Sequence, residues 1–127
     1  LFPTILNANT NFFDEGVKFF NIKKFDKAKF KFEQDLVYNP KNENAYLYLS
    51  KIFNFQKKND LEEQNLDTVI LINPKNEEAL YNLAKLKLKQ SDYQESKKLV
   101  NKLITICKNF CLKSEELKVD IEKSLTK

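Results

Sequence analysis

The pentapeptide Asn-Pro-Lys-Asn-Glu occupies residues 39–43 and again residues 73–77, each time followed by an apolar run, at a spacing of 34. A fixed period of this size means that one supersecondary unit is used several times, and it restricts the chain to stacked or arrayed folds. Laid on itself at 34 residues, the chain aligns Pro40 with Pro74, Ala45 with Ala79, Tyr46 with Leu80 and Leu49 with Leu83. One step back, Phe12 falls under Tyr46, Gly16 under Ser50 and Ala84, and Phe19 under Phe53. Three units emerge, beginning near Asn9, Glu43 and Glu77.

Each unit is helical twice over. In the second, Tyr46, Leu49, Ile52 and Phe53 recur at spacings of three and four, and Leu66, Val69, Ile70 and Ile72 repeat the pattern after the break "QKKND". The first unit breaks at "NIKK" before Phe25, Ala28, Phe32, Leu36 and Val37; the third breaks at "KQSD" before Tyr93, Leu99, Val100, Leu103 and Ile104. One Gly and three Pro in 127 residues leave too little punctuation for a sheet protein with many tight turns. The pentapeptide has a local cause. Pro40 and Pro74 force Asn39 and Asn73 out of helical geometry and end the helix before them. Asn42 and Asn76 are placed to cap the next helix, and Glu43 and Glu77 sit in its first turn, where the dipole favours an acid.

With these residues in place the chain resembles the tetratricopeptide repeat family. The resemblance implies an all-α fold, a superhelical stack of antiparallel helix hairpins, with small residues where helices cross and Pro at the exit of each repeat. Gly16, Phe19, Phe25, Ala28, Phe32 and Pro40 carry the match in the first unit. The second keeps Tyr46, Leu49, Ser50, Phe53 and Pro74 but has Glu62 where the family has Ala, which predicts a shifted second helix or a longer turn. The third keeps Leu80, Leu83, Ala84, Tyr93 and Ser96, with Lys87 in place of an aromatic and Lys108 in place of Pro, so its last helix is expected to run on. The repeats are placed at 9–42, 43–76 and 77–110. Residues 111–127 form a terminal cap, with Ser114 as its N-cap and Leu117, Ile121 and Leu125 as its apolar stripe. Residues 1–8 are a lead or the remnant of an upstream segment.

Most chemistry is excluded by residue type. The chain has no His, which removes the usual general base and the commonest nitrogen metal ligand, and one Gly cannot make a phosphate loop. No cofactor or metal is expected, and Asp60, Glu62 and Glu63 read as a solvated helix start. The chain is expected not to be an enzyme. Cys107 and Cys111, if both lie in one regular helix, stand near the upper distance limit for a disulfide and read as structural filler; a helix ending before Cys111, in a periplasmic or secreted protein, favours the bridge. No apolar run approaches 18 residues. The net charge of +4 comes from 22 Lys without Arg, which weakens the case for nucleic acid and fits an AT-rich genome such as that of a spirochaete. The lack of Met reads as a fragment of a longer chain, from the cytoplasm or a bacterial periplasm.

What remains is surface. The resemblance implies a concave groove lined by the first helices of the hairpins. The residues pointing into it are expected to be Phe13, Val17 and Phe20, then Leu47, Tyr48, Lys51 and Phe55, then Tyr81, Asn82, Lys85 and Leu88. The hairpin core is expected to take Phe12, Phe19, Tyr46, Leu49, Phe53, Leu80 and Leu83. Together these make the first helices apolar nearly all round, more than a half-buried helix needs, which points to an interaction site. The expected function is a protein-protein interaction scaffold holding an apolar peptide or helix of a partner. The alternative is a self-assembly module giving a homo-oligomer, and a lysine surface at Lys51, Lys85, Lys87 and Lys89 for nucleic acid or anionic lipid ranks last. One branch of the family grips the acidic tails of heat-shock chaperones with a polar and basic clamp. At those places this chain has Phe13, Val17, Tyr48, Glu78 and Asn82, of which only Asn82 agrees, so such tails are not expected to bind.

Overall fold

The computed structural model describes residues 11–127, which form seven α-helices and no strand. The helices are α1 (Phe12–Asn21), α2 (Phe25–Tyr38), α3 (Glu43–Phe55), α4 (Asn59–Ile72), α5 (Glu77–Lys89), α6 (Tyr93–Ile106) and α7 (Cys111–Leu125). The second helices of the hairpins start at Phe25, Asn59 and Tyr93 and end at Tyr38, Ile72 and Ile106, so the period of 34 holds at both ends. The shift expected from Glu62 does not occur. Glu62 is buried at the place held by Ala28 and Ser96, and the Asn54 side-chain amide donates to both its carboxylate oxygens at 3.3 and 3.2 Å. The acid is accommodated by a polar partner rather than by moving the helix. The lead at residues 1–8 lies outside the described residues.

Each hairpin turn is built the same way. Lys23, Lys57 and Ser91 have φ of 61°, 58° and 63°, the left-handed region, again 34 apart. The amides that follow them bond back five residues, Lys24 to Phe19 O, Lys58 to Phe53 O and Asp92 to Lys87 O, at 2.9, 2.9 and 2.8 Å. These are Schellman closures, in which one left-handed residue satisfies the last carbonyls of the helix.

Both copies of the pentapeptide stop one helix and start another. The Asn42 side chain accepts from Asn44 N and that of Asn76 from Ala79 N. In the first copy the Asn39 and Asn42 amides also donate to the two carboxylate oxygens of Asp35 at 3.0 and 2.7 Å. Asp35 is buried, and its position in the next repeat is Val69.

The described chain divides into two compact units, the first ending at Asn65 and the second beginning at Leu66, within α4. In the first unit α1 packs on α2 and α2 on α3, around Ala28, Phe32, Ala45, Leu49, Ile52 and Phe53. A Cβ on Gly16 would stand 2.7 Å from Phe32 Cε1, so the absence of a side chain lets the Phe32 ring approach α1 closely. Phe32 is fully buried, which contributes on the order of 2 kcal/mol.

In the second unit α5 packs on α6 and α6 on α7. The Ser96 hydroxyl donates to the Ala84 carbonyl at 2.7 Å, joining the two small positions of this hairpin. Four expectations fail here. α6 does not run on: it ends at Ile106, and Cys107 is extended with φ −62° and ψ 147°. Ser114 is not an N-cap but lies inside α7, buried, with its hydroxyl donating to the Phe110 and Cys111 carbonyls. Leu117 and Ile121 are buried as expected, whereas Leu125 is exposed. The helix starts four residues early, where Glu77 holds the segment that leads into it. Its Oε1 accepts the amides of Lys108, Asn109 and Phe110 at 2.8, 3.0 and 3.0 Å. Nor are the cysteines filler: Cys107 and Cys111 form a disulfide with Cα atoms 5.3 Å apart, possible because the helix breaks between them.

Candidate interaction surface

Among the residues expected to line a groove in the first unit, Phe13, Phe20, Tyr48 and Phe55 come together as one aromatic wall. On α1, Phe13 packs 5.6 Å from Phe32 and 5.8 Å from Tyr48. Phe20, two turns on, meets Tyr48 at 5.0 Å and Phe55 at 6.2 Å. Tyr48 stacks on Phe32 at 5.1 Å, so the wall rests directly on the core that Gly16 admits. Lys51, one turn beyond Tyr48, lays its ammonium over that ring at 5.0 Å. Val17 is half-buried and packs against the same core.

Two corrections follow. Leu47 is only 6% exposed, so it belongs to the interior and lines no surface. Phe12, Phe19 and Tyr46, expected in the hairpin core, are only half-buried, and the Tyr46 hydroxyl donates to the Pro40 carbonyl at 3.1 Å. Packing also ties Phe13, Phe20 and Tyr48 to their neighbours, so most of the expected groove side chains are walls that already have contacts. Phe55 differs. It is 59% exposed and stacks on Phe25 at 4.9 Å with ring planes 15° apart.

Phe25 itself was missing from the expected site, because its spacing fits the apolar stripe of α2. It is the first residue of that helix, beside the hairpin turn, and its half-buried ring touches both Phe20 and Phe55. An aromatic at a helix start, where the stripe runs out of neighbours, was the available signal.

The residues expected to line a groove in the second unit are placed differently. Tyr81 lies 5.5 Å from Phe110, and the ammonium groups of Lys85 and Lys113 sit over its ring at 5.4 and 5.9 Å. Burial, with the Glu116 and Asp120 carboxylates as further causes, pushes the Tyr81 phenol up. Tyr81 therefore helps to seat the α6–α7 connection. Asn82 and Leu88 are half-buried and Lys85 is exposed. Phe110 lies outside the residues expected from sequence, since only the break before α7 brings it to α5. None of the described helices is long and apolar enough to cross a membrane.

Neither a sequence-family model nor a curated protein matches this chain. Solved structures do. The first repeat domain of Spaghetti (RPAP3), solved with the HSP90 peptide SRMEEVD, superposes with a TM-score of 0.81 at 17% identity over 91% of each chain. The OM64 repeat domain of Arabidopsis gives 0.79 at 17% identity, covering 92% of this chain and 96% of that one. The Sgt2 domain of Aspergillus fumigatus gives 0.78 at 18% identity over 94% and 83%. Three in-phase hairpins followed by a further helix, with these neighbours, give the chain the tetratricopeptide-repeat fold.

Proposed function

We propose that this chain is a non-catalytic protein-interaction scaffold, and that the aromatic wall of its first unit docks an apolar peptide or helix from a partner protein. The observation that carries the reading is the Phe25–Phe55 stack, an aromatic pair more than half open at Phe55 and continuous with Phe20 and Tyr48. Aromatic anchors at the centre of an exposed patch are what interfaces use for most of their binding energy. Helix-in-groove docking needs such anchors on a rigid wall. The neighbour bound to the HSP90 peptide supports peptide binding by this fold. The residues at the expected clamp places, Phe13, Val17, Tyr48, Glu78 and Asn82, do not favour that acidic tail here.

Selection of a displayed random dodecapeptide library on the intact chain tests the reading. Enriched peptides are expected to lose binding to Phe55→Ser and to keep it with Val37→Ser, an exposed apolar position elsewhere on the same unit. No enrichment, or equal loss in both variants, overturns it. Tyr48 is unsuited to this test because its loss unstacks Phe32. A second reading, self-association, is favoured by Phe30, Val37 and Tyr38, all exposed on α2. Light scattering separates the two: growth of the scattering mass with concentration supports assembly, and a constant monomer mass rejects it.

A further inference from the structure

The Phe25–Phe55 stack is flanked by cationic turns. Phe25 begins α2 and Phe55 ends α3, so the stack lies at the end of the first unit where both hairpin turns are found. Lys23 and Lys57 hold the left-handed positions of those turns, and Lys24 and Lys58 follow, their amides tied to Phe19 O and Phe53 O at 2.9 Å. All four side chains are exposed, and none forms an ion pair among the described residues. The carboxylates in the first turns of the helices that follow are Asp26 and Asp60, both exposed, and Glu62, which is buried and held by Asn54. The corresponding turn of the third repeat, Gln90-Ser91-Asp92, carries no lysine. The excess of positive charge is therefore a property of this end of the first unit and not a requirement of the turn.

Apolar side chains on the stack would leave their flanking residues among these lysines. Resting on the docking role proposed above, we infer that the wall selects peptide segments in which an apolar anchor is flanked by internal Asp or Glu. The anchor lies against Phe55 and Phe25, and the carboxylates lie among Lys23, Lys24, Lys57 and Lys58. Charge at the rim adds selectivity and speeds encounter while the aromatic pair supplies the contact. No terminal carboxylate is needed. Lysine ammonium groups without a single Arg, arranged around one ring pair, favour such a peptide over a nucleic-acid strand, which needs a track of cations and stacking faces.

The same dodecapeptide selection, read for composition, is the test. Peptides enriched on the intact chain are expected to carry Asp or Glu within a few residues of an aromatic or aliphatic anchor, and to bind equally well when amidated. Their affinity is expected to fall as salt rises. It should fall about tenfold in a variant carrying Lys23→Asn, Lys24→Gln, Lys57→Asn and Lys58→Gln, whose asparagines are favoured in the left-handed turn, so that the helical melt does not fall. Neutral or basic flanks that still depend on Phe55 overturn this inference and leave the docking role standing. No enrichment overturns both. Displacement of the enriched peptides by a single-stranded oligonucleotide would reassign the surface and also overturn it.

Discussion

At the scale of single residues, two positions link sequence to stability in opposite directions. Gly16 exists because Phe32 needs its space, and Phe32 in turn supports Phe13 and Tyr48. Gly16→Ala gains helix propensity but drives a Cβ into a ring with nowhere to go. It is expected to cost roughly 1–2 kcal/mol net, read as a lower midpoint in thermal or urea unfolding. Lys57 is a β-carbon residue in the left-handed region, where Gly is unstrained. Lys57→Gly is therefore expected to stabilise by about 0.5–1 kcal/mol, seen as a raised thermal midpoint. None of these turn lysines announced its backbone conformation, because Lys is common in every context of this chain. Gly16 was legible as a small position by its alignment with Ser50 and Ala84, though the ring it meets was not.

At the scale of elements, helix starts, stops and phases were readable because their causes are local. Pro40 and Pro74, the capping Asn42 and Asn76, and the three- and four-residue spacings all act within one turn of the residues they control. The C-terminal helix departs from its sequence expectation for the opposite reason. Its start is set by Glu77, which is 31 residues from Lys108 in sequence. That contact gives α7 a pH signature. The amides of Phe110, Lys108 and Asn109 hold the Glu77 carboxyl below its ordinary 4.5, with Phe110 the largest cause and partial burial opposing it. A depressed folded-state value means the contribution is complete above the unfolded value and is lost as pH falls through the folded one. Glu77→Gln is expected to weaken α7 at neutral pH and to flatten the acid limb of stability, measured by unfolding at pH 7 and below pH 4.5. The disulfide encloses the same amides. Reduction by a dithiol releases a five-residue loop, and from loop entropy it should cost at most about 2 kcal/mol. Hydrogen exchange should then quicken around residues 107–113 and stay unchanged in α1, α2 and α3.

At the scale of the whole molecule, the repeat architecture was the most legible property and the division of labour among aromatics the least. Periodicity says which residues share a helix face, but not how far a ring is covered. Leu47 and Phe55 both appeared on the expected groove, and one is interior while the other is the most open member of the wall. Phe25 reads as core from spacing and joins the wall only because α3 ends beside the start of α2. The docking role consequently rests on the first unit. The most direct measurement is a nuclear magnetic resonance titration of the isotope-labelled chain with a peptide selected on it. The largest shifts are predicted at Phe20, Phe25, Tyr48 and Phe55 and in the turns at 22–24 and 56–58. Largest shifts instead at Phe30, Val37 and Tyr38, or confined to α5, α6 and α7, would contradict the account.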